Sequence, residues 1–253
     1  MKSHKLSIII IFVVLFSTSS IFADVVLDFK QANNFYEQKK FDSAIAIYER
    51  ILSGNIESSE IYFNLANSYF KNGELGYAIL NYYRANRLNP DDEDIINNLE
   101  FAKNYIQVQM EGVALNPISN FFESLVALYK LNELAWFSSL IFIIMVLILI
   151  LRNGLRYTGS LTKSLFIISL ILFILIGSLT TYKYQIDYLT KRGVIISDTN
   201  STIYTGPSKQ SDIELEGASG MVFEIISETS NYYNVLLENK RRGWIKKEFV
   251  AVI

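Results

Sequence analysis

Hydrophobic and polar positions change rhythm three times along this chain. From 24 to about 110, apolar residues recur at steps of three and four, as in Tyr62, Leu65, Ala66, Tyr69 and Phe70. That is the spacing of one face of an α-helix. Over 134–151 and again over 164–182 the rhythm gives way to continuous apolar runs without Asp, Glu, Lys or Arg. Each run is long enough to cross a bilayer as a helix, which takes about 20 residues. From 193 onward, short β-branched and aromatic runs (GVIIS, STIYT, MVFEIIS, YYNVLL, GWIKKEFVAVI) alternate with Gly, Pro and Asn breaks. Five short strands there predict a small β-barrel. The expectation is a multidomain chain: an all-α segment, two transmembrane helices and a small all-β domain.

The helical segment repeats. Shifted by 34 residues, Ala66 falls on Ala32, Tyr69 on Phe35, Ala78 on Ala44, Tyr82 on Tyr48 and Ala85 on Ile51. The units, about 25–58 and 59–92, abut without a gap. Small residues such as Ala66 and Ala78 let two antiparallel helices approach closely. Gly73 suits the left-handed turn that ends a helix, and Pro90 ends the next. Asp94 is expected to cap a further helix over about 94–108. This pattern resembles the tetratricopeptide family, whose period is 34 residues. Tyr62, Leu65, Ala66, Tyr69, Gly73, Ala78, Tyr82, Ala85 and Pro90 fall on its signature positions. Unit one departs, with Gln31 for Leu and Ile56 for Pro. The resemblance implies a short solenoid, 24–110, with a capping helix. It also implies a concave face carrying Phe29, Tyr36, Phe63 and Phe70, with Asn33 and Asn67 between them. These rings either line a groove for a protein segment or pack between the repeats. A clamp for C-terminal carboxylates is not expected. Asn33 and Asn64 match its Asn positions, but Phe29, Asn97 and Phe101 stand where it needs cations.

Residues 1–23 carry Lys2 and Lys5, a short apolar run and small residues ending at Ala23. That is the layout of a secretory signal peptide, so the repeats are expected on the outer face of a bacterial inner membrane. The loop 152–163 holds Arg152, Arg156 and Lys163 and no acid. Positive loops stay in the cytoplasm, so the C-terminal domain is expected back outside with the repeats. Segment 111–133, with Phe121, Phe122, Leu125, Leu128 and Tyr129, reads as a linker, an interfacial helix or part of the solenoid base.

Around 193–253, Ile203-Tyr204 leads into Gly206-Pro207-Ser208. Gly220 precedes a strand, and Tyr233-Asn234-Val235 and Arg242-Gly243-Trp244-Ile245 follow. This resembles the bacterial SH3-like family, although that family often has Arg at Tyr204 and Trp at Tyr232 or Tyr233. The resemblance implies a domain that contacts protein or cell-wall peptides. Tyr204, Tyr232 and Trp244 are the candidate surface, unless Trp244 plugs the barrel.

Composition narrows the chemistry. The chain has no Cys, and its single His is His4. Thiolate nucleophiles, disulfides, His or Cys zinc sites and a Ser–His–Asp triad downstream of the signal are thereby excluded. No spaced carboxylate motif suggests an enzyme, and no cofactor or metal is expected. Net charge is −2, which gives no footprint for nucleic acid. The order of segments resembles the BatE family of the bacterial aerotolerance cluster. That implies a non-catalytic membrane scaffold working with von Willebrand A-domain membrane proteins. A wall-tethering protein that binds peptidoglycan through its SH3-like domain is the alternative.

Overall fold

The computed structural model describes residues 24–106, 125–126, 128–154, 159–197 and 201–253. The expected signal peptide, most of the 111–133 linker and part of the 152–163 loop lie outside the described residues. Those described fall into two compact units. One is built from Met1–Met110 with Arg192–Ile253, the other from Glu111–Lys191.

The described residues of the first unit begin with five helices. They are α1 (24–37), α2 (Phe41–Ser53), α3 (Ser59–Asn72), α4 (Leu75–Leu88) and α5 (Glu93–Lys103). Local chemistry sets their ends. The Ser58 hydroxyl accepts from the Ile61 N–H at 3.5 Å and starts α3. Asp92, rather than the expected Asp94, caps α5: one carboxylate oxygen accepts from the Asp94 and Ile95 N–H groups at 3.1 and 3.3 Å. Side chains that accept at this position satisfy N–H groups the helix itself leaves open. Helix α3 ends at Gly73, whose φ is 88°, and the Glu74 N–H reaches back to the Tyr69 carbonyl at 2.9 Å. Thirty-four residues earlier, α1 ends the same way. Lys39 has φ 60°, and the Lys40 N–H bonds the Phe35 carbonyl at 2.9 Å. Both ends are left-handed helix stops with a long return hydrogen bond.

The helices pair as two hairpins, α1–α2 and α3–α4, and their interiors repeat. Ala32, Ala44, Ala66 and Ala78 are all fully buried. The Tyr48 hydroxyl donates to Asn33 Oδ1, and the Tyr82 hydroxyl donates to Asn67 Oδ1 at 2.6 Å. Phe29 meets Tyr48 with ring centroids 6.0 Å apart, and Phe63 meets Tyr82 at the same 6.0 Å.

The rest of this unit is a seven-stranded antiparallel sheet in the order β3-β2-β6-β5-β4-β1-β7. Its strands are β1 (Arg192–Ile195), β2 (Ser201–Tyr204), β3 (Ile213–Gly217), β4 (Val222–Glu228), β5 (Tyr232–Leu237), β6 (Arg242–Lys246) and β7 (Val250–Val252). The sequence led to five strands, and two features account for the difference. Strand β3 reads Ile-Glu-Leu-Glu-Gly and pairs only with β2, so it carries an edge strand's charges. The last predicted run is cut by a 3₁₀ turn at Lys247–Phe249 into β6 and β7. Ile195, Ile203, Met221, Phe223, Val235, Leu237 and Ile245 close a core of their own.

Helices and sheet share a second core. Val194 and Val222 are buried in the helical cluster, with Ile196, Ala251 and Ile253 packed against it. The α4 N-terminus meets the sheet most closely. A Cβ on Gly76 would stand 2.5 Å from the Ile195 carbonyl oxygen and 2.8 Å from Ile196 Cα, so the backbone contact leaves room for glycine alone. The Gly76 N–H donates to Ser219 Oγ at 3.1 Å. The first turn of α4 lacks a side-chain cap of its own, and a residue 143 positions away supplies one.

The second unit is a helical hairpin of α6 (Leu131–Asn153) and α7 (Ser160–Tyr184), the latter running on into a π-turn at Gln185–Leu189. Both helices are long and apolar enough to cross a membrane, and only 6% of each apolar window is buried. A soluble core helix would be mostly covered, so these faces are suited to lipid. Phe142 meets Phe173 at 5.6 Å across the pair. The hydroxyls of Ser139, Ser178, Thr180 and Thr181 donate to carbonyls four residues back at 2.7–2.9 Å. No hydroxyl among these is left to face lipid unbonded.

Candidate functional site

The six helical positions expected to form a groove do not behave alike. Phe29 and Phe63 are partly buried and turned onto Tyr48 and Tyr82 within their hairpins. Tyr36 packs edge-on against Phe41 at 5.5 Å. Asn33 Oδ1 accepts from Tyr48 and also from Asn64 Nδ2 at 3.3 Å, which ties the two hairpins together. Asn67 is held by Tyr82. These residues lie along α1 and α3, and each is engaged with a ring or a hydrogen-bond partner.

Phe70 stands in a different setting. It meets Phe101 at 5.7 Å and Tyr105 at 5.2 Å, and those two rings meet each other at 5.3 Å. Phe101 is 52% exposed and Tyr105 53%. Among the described residues, the open aromatic surface of the helical segment is therefore Phe101 and Tyr105 at its α5 end, with Phe70 against them. In the sequence Phe101 stands out only as a departure from a cation position, and Tyr105 not at all. Their spacing of four residues on α5 and the chain after it was the available signal.

The tyrosines behind these faces are shifted. Burial raises the hydroxyl pKa of Tyr36, Tyr48 and Tyr82 above the ordinary 10.0. Tyr69 is raised by burial first and then by its hydrogen bond to Glu49. Each stays a neutral donor, which is what Asn33, Asn67 and Glu49 need from it.

On the sheet, Tyr204 and Trp244 are register partners across β2 and β6, so both point to one face. Ile203, Gly243 and Ile245 point the other way, and Ile203 and Ile245 join the barrel core; Trp244 is half-buried and lies outside it. Tyr232 is 8% exposed and borders a cavity of about 510 Å³ with Lys209, Lys246, Lys247 and Glu248. Neither Tyr204 nor Trp244 lines that cavity. The C-terminal cations are largely engaged. Arg241 pairs with Glu214, Lys246 with Glu248 at 2.6 Å and Lys247 with Glu228 at 2.7 Å.

A larger cavity, about 680 Å³, lies between α2, α3, α4 and the edge strand β7. Asn81 lines it, is 3% exposed, and has an Oδ1 without a hydrogen-bond partner. Its Nδ2 donates to the Tyr77 carbonyl at 2.8 Å, which fixes the amide's orientation. A buried acceptor left open costs about 1–3 kcal/mol. Among the described residues no three His, Cys, Asp or Glu side chains gather as metal ligands would.

A scan against protein-family models and a search of curated proteins gave no match to this chain.

Proposed function

We propose that the chain is a membrane-anchored scaffold. Its two hairpins are tetratricopeptide repeats, its sheet is an SH3-like barrel, and its aromatic α5 end receives a segment of a partner protein. The observation that carries this reading is the 34-residue recurrence of the hairpin interior: Tyr48–Asn33 and Tyr82–Asn67, with Phe29 and Phe63 stacked alike. A repeat that spends its inner residues on packing and leaves Phe101 and Tyr105 in the open against a partly buried Phe70 has the makeup of a binding surface. Aromatic anchors dominate such surfaces.

The shared core of helices and sheet supports one further part of the reading. If α6 and α7 both cross the membrane, two crossings return the chain to its starting side. Residues on both sides of that hairpin can then pack into one unit. With residues 1–23 acting as an export signal, that side is the outer face of the cytoplasmic membrane. The partners best suited to the domain order are the von Willebrand A-domain membrane proteins of a BatE-type aerotolerance cluster.

The test is crosslinked capture from native membranes, with the intact chain beside a Phe101→Ala, Tyr105→Ala variant. Capture of von Willebrand A-domain proteins by the first, and its loss in a variant that keeps its helicity, supports the scaffold. Equal capture by both removes the aromatic end from the mechanism. The cavity beside Tyr232 favours a second reading, in which the SH3-like domain holds peptidoglycan. Co-sedimentation of the full chain with purified wall, unaffected by the α5 variant, is its signature.

A further inference from the structure

The cavity between the hairpins and β7 has an ordered polarity along α4. Tyr77, Asn81 and Arg84 are spaced four and three residues apart, so they share one helix face. At the Tyr77 end, Glu49 receives the Tyr69 hydroxyl, and Tyr69 stacks on Tyr77 at 5.1 Å. In the middle stands Asn81 with its open Oδ1. At the far end are two guanidinium groups: Arg84 lies over the Tyr62 ring at 5.9 Å, and Arg87 stands beside Glu57, which lines the same cavity. Arg84 reaches the Val252 carbonyl at 3.4 Å, and Arg87 reaches Glu57 at 3.9 Å. One end of the cavity thus offers the Glu49 carboxylate, and the other offers two guanidinium groups beside the Glu57 carboxylate. The rise of an α-helix puts Tyr77 and Arg84 about 10 Å apart.

The opposite wall is the edge of a sheet. In the β1–β7 ladder the Phe249 carbonyl and the Ile253 N–H are bonded at 3.0 Å each, and the register puts Ala251 opposite Val194 as the bonded pair between them. By alternation, the Val250 carbonyl and the Val252 N–H project away from β1. The Arg84 contact to Val252 shows that this edge faces α4.

We propose that this cavity binds a short extended peptide with a free amino group and a free carboxylate. Three extended residues span about 10 Å, which matches the separation of the two ends. The carboxylate lies at Arg84 and Arg87, where guanidinium groups offer paired donors. The amino group lies toward Glu49, and a peptide N–H supplies the donor that Asn81 Oδ1 lacks. The peptide backbone adds to the β7 edge as an extra strand, a recognised mode of peptide binding. This site is separate from the aromatic α5 end, so either can fail without the other.

The experiment is calorimetric titration of the full-length chain in detergent with the tripeptide Ala-Leu-Ala. The same tripeptide is titrated with its carboxylate amidated and with its amino group acetylated. Arg84→Gln and Arg84→Lys are titrated beside the wild type. The expected result is saturable binding of the free tripeptide, weakened about tenfold by amidation and by Arg84→Gln, with partial recovery in Arg84→Lys. Acetylation weakens binding less, because Asn81 and the β7 edge still hold the backbone. No binding at millimolar peptide, or equal binding of the free and the amidated peptides, overturns the proposal.

Discussion

The two 34-residue units share a hairpin but not a neighbourhood. Positions that face the hairpin interior are equivalent: Ala32 and Ala66, Ala44 and Ala78, Tyr48 and Tyr82 are all buried to the same degree. Positions that face outward diverge according to what lies beyond them. Gln31 on α1 is exposed, whereas its counterpart Leu65 is 2% exposed between hairpins. Asp42 is exposed and accepts from Asn72 Nδ2 at 2.8 Å, whereas its counterpart Gly76 is buried under the sheet. Glu49 is exposed, and its counterpart Tyr83 is half-buried against the sheet side. The repeat therefore fixes how each hairpin closes. Substitutions at its outer positions record which unit bears the C-terminal sheet.

The widest contrast lies at Gly76 and Asp42. An alanine in place of glycine within a helix normally stabilises by about 0.5–1 kcal/mol. Gly76→Ala has the opposite sign, because the added Cβ would meet the Ile195 carbonyl oxygen at 2.5 Å. The cost of forcing such an overlap is about 2–3 kcal/mol. Asp42→Ala, at the equivalent exposed position, changes stability by about 0.5 kcal/mol. Thermal unfolding of the full chain, with hydrogen exchange at α4 and β1, separates the two. Equal effects at both sites would mean that the sheet does not lean on the second unit.

Alkaline titration tests what the units have in common. Tyr48 and Tyr82 ionise above the ordinary 10.0 in the folded chain because they are buried. The unfolded chain therefore loses these protons first as pH rises. Stability is retained below about pH 10 and falls above it, by about 1.4 kcal/mol per pH unit for each such tyrosine. Tyr48→Phe and Tyr82→Phe should each flatten this fall by a similar amount. A flattening in only one of them would break the equivalence of the hairpins.

Much of this could be read in the chain itself. The alanines at the helix crossings, Gly73 and the two uncharged apolar runs each act within a few residues of themselves, so a linear pattern carries them. Strand β3 escaped because Glu214 and Glu216 give it an edge strand's polarity. The Ser219–Gly76 bond escaped because it joins residues 143 positions apart. For the same reason the sequence leaves Phe29 and Phe63 open between groove and packing: their ring partners Tyr48 and Tyr82 lie on the returning helix. The cluster of partly buried Phe70 with exposed Phe101 and Tyr105 depends on how α5 packs beside α3, which no spacing within α3 could reveal.

The smallest contrast is at the hairpin turns. Gly73 adopts φ 88° and Lys39 adopts φ 60° at the equivalent place. A side chain with a Cβ is strained in this region, whereas glycine is not. Unit one therefore carries a local cost that unit two avoids. Lys39→Gly should raise stability by about 0.5–1 kcal/mol, the usual scale for matching a residue to its backbone angle. Gly73→Lys should lower stability by about as much. The readout is the thermal midpoint of the full chain in the same detergent. Because both turns make the same return bond to the preceding helix, at 2.9 Å in each, the double variant that exchanges the two residues should leave the midpoint nearly unchanged. A midpoint that drops in the exchange would show that the second turn, beneath the sheet-bearing helix α4, needs its glycine for more than its own φ.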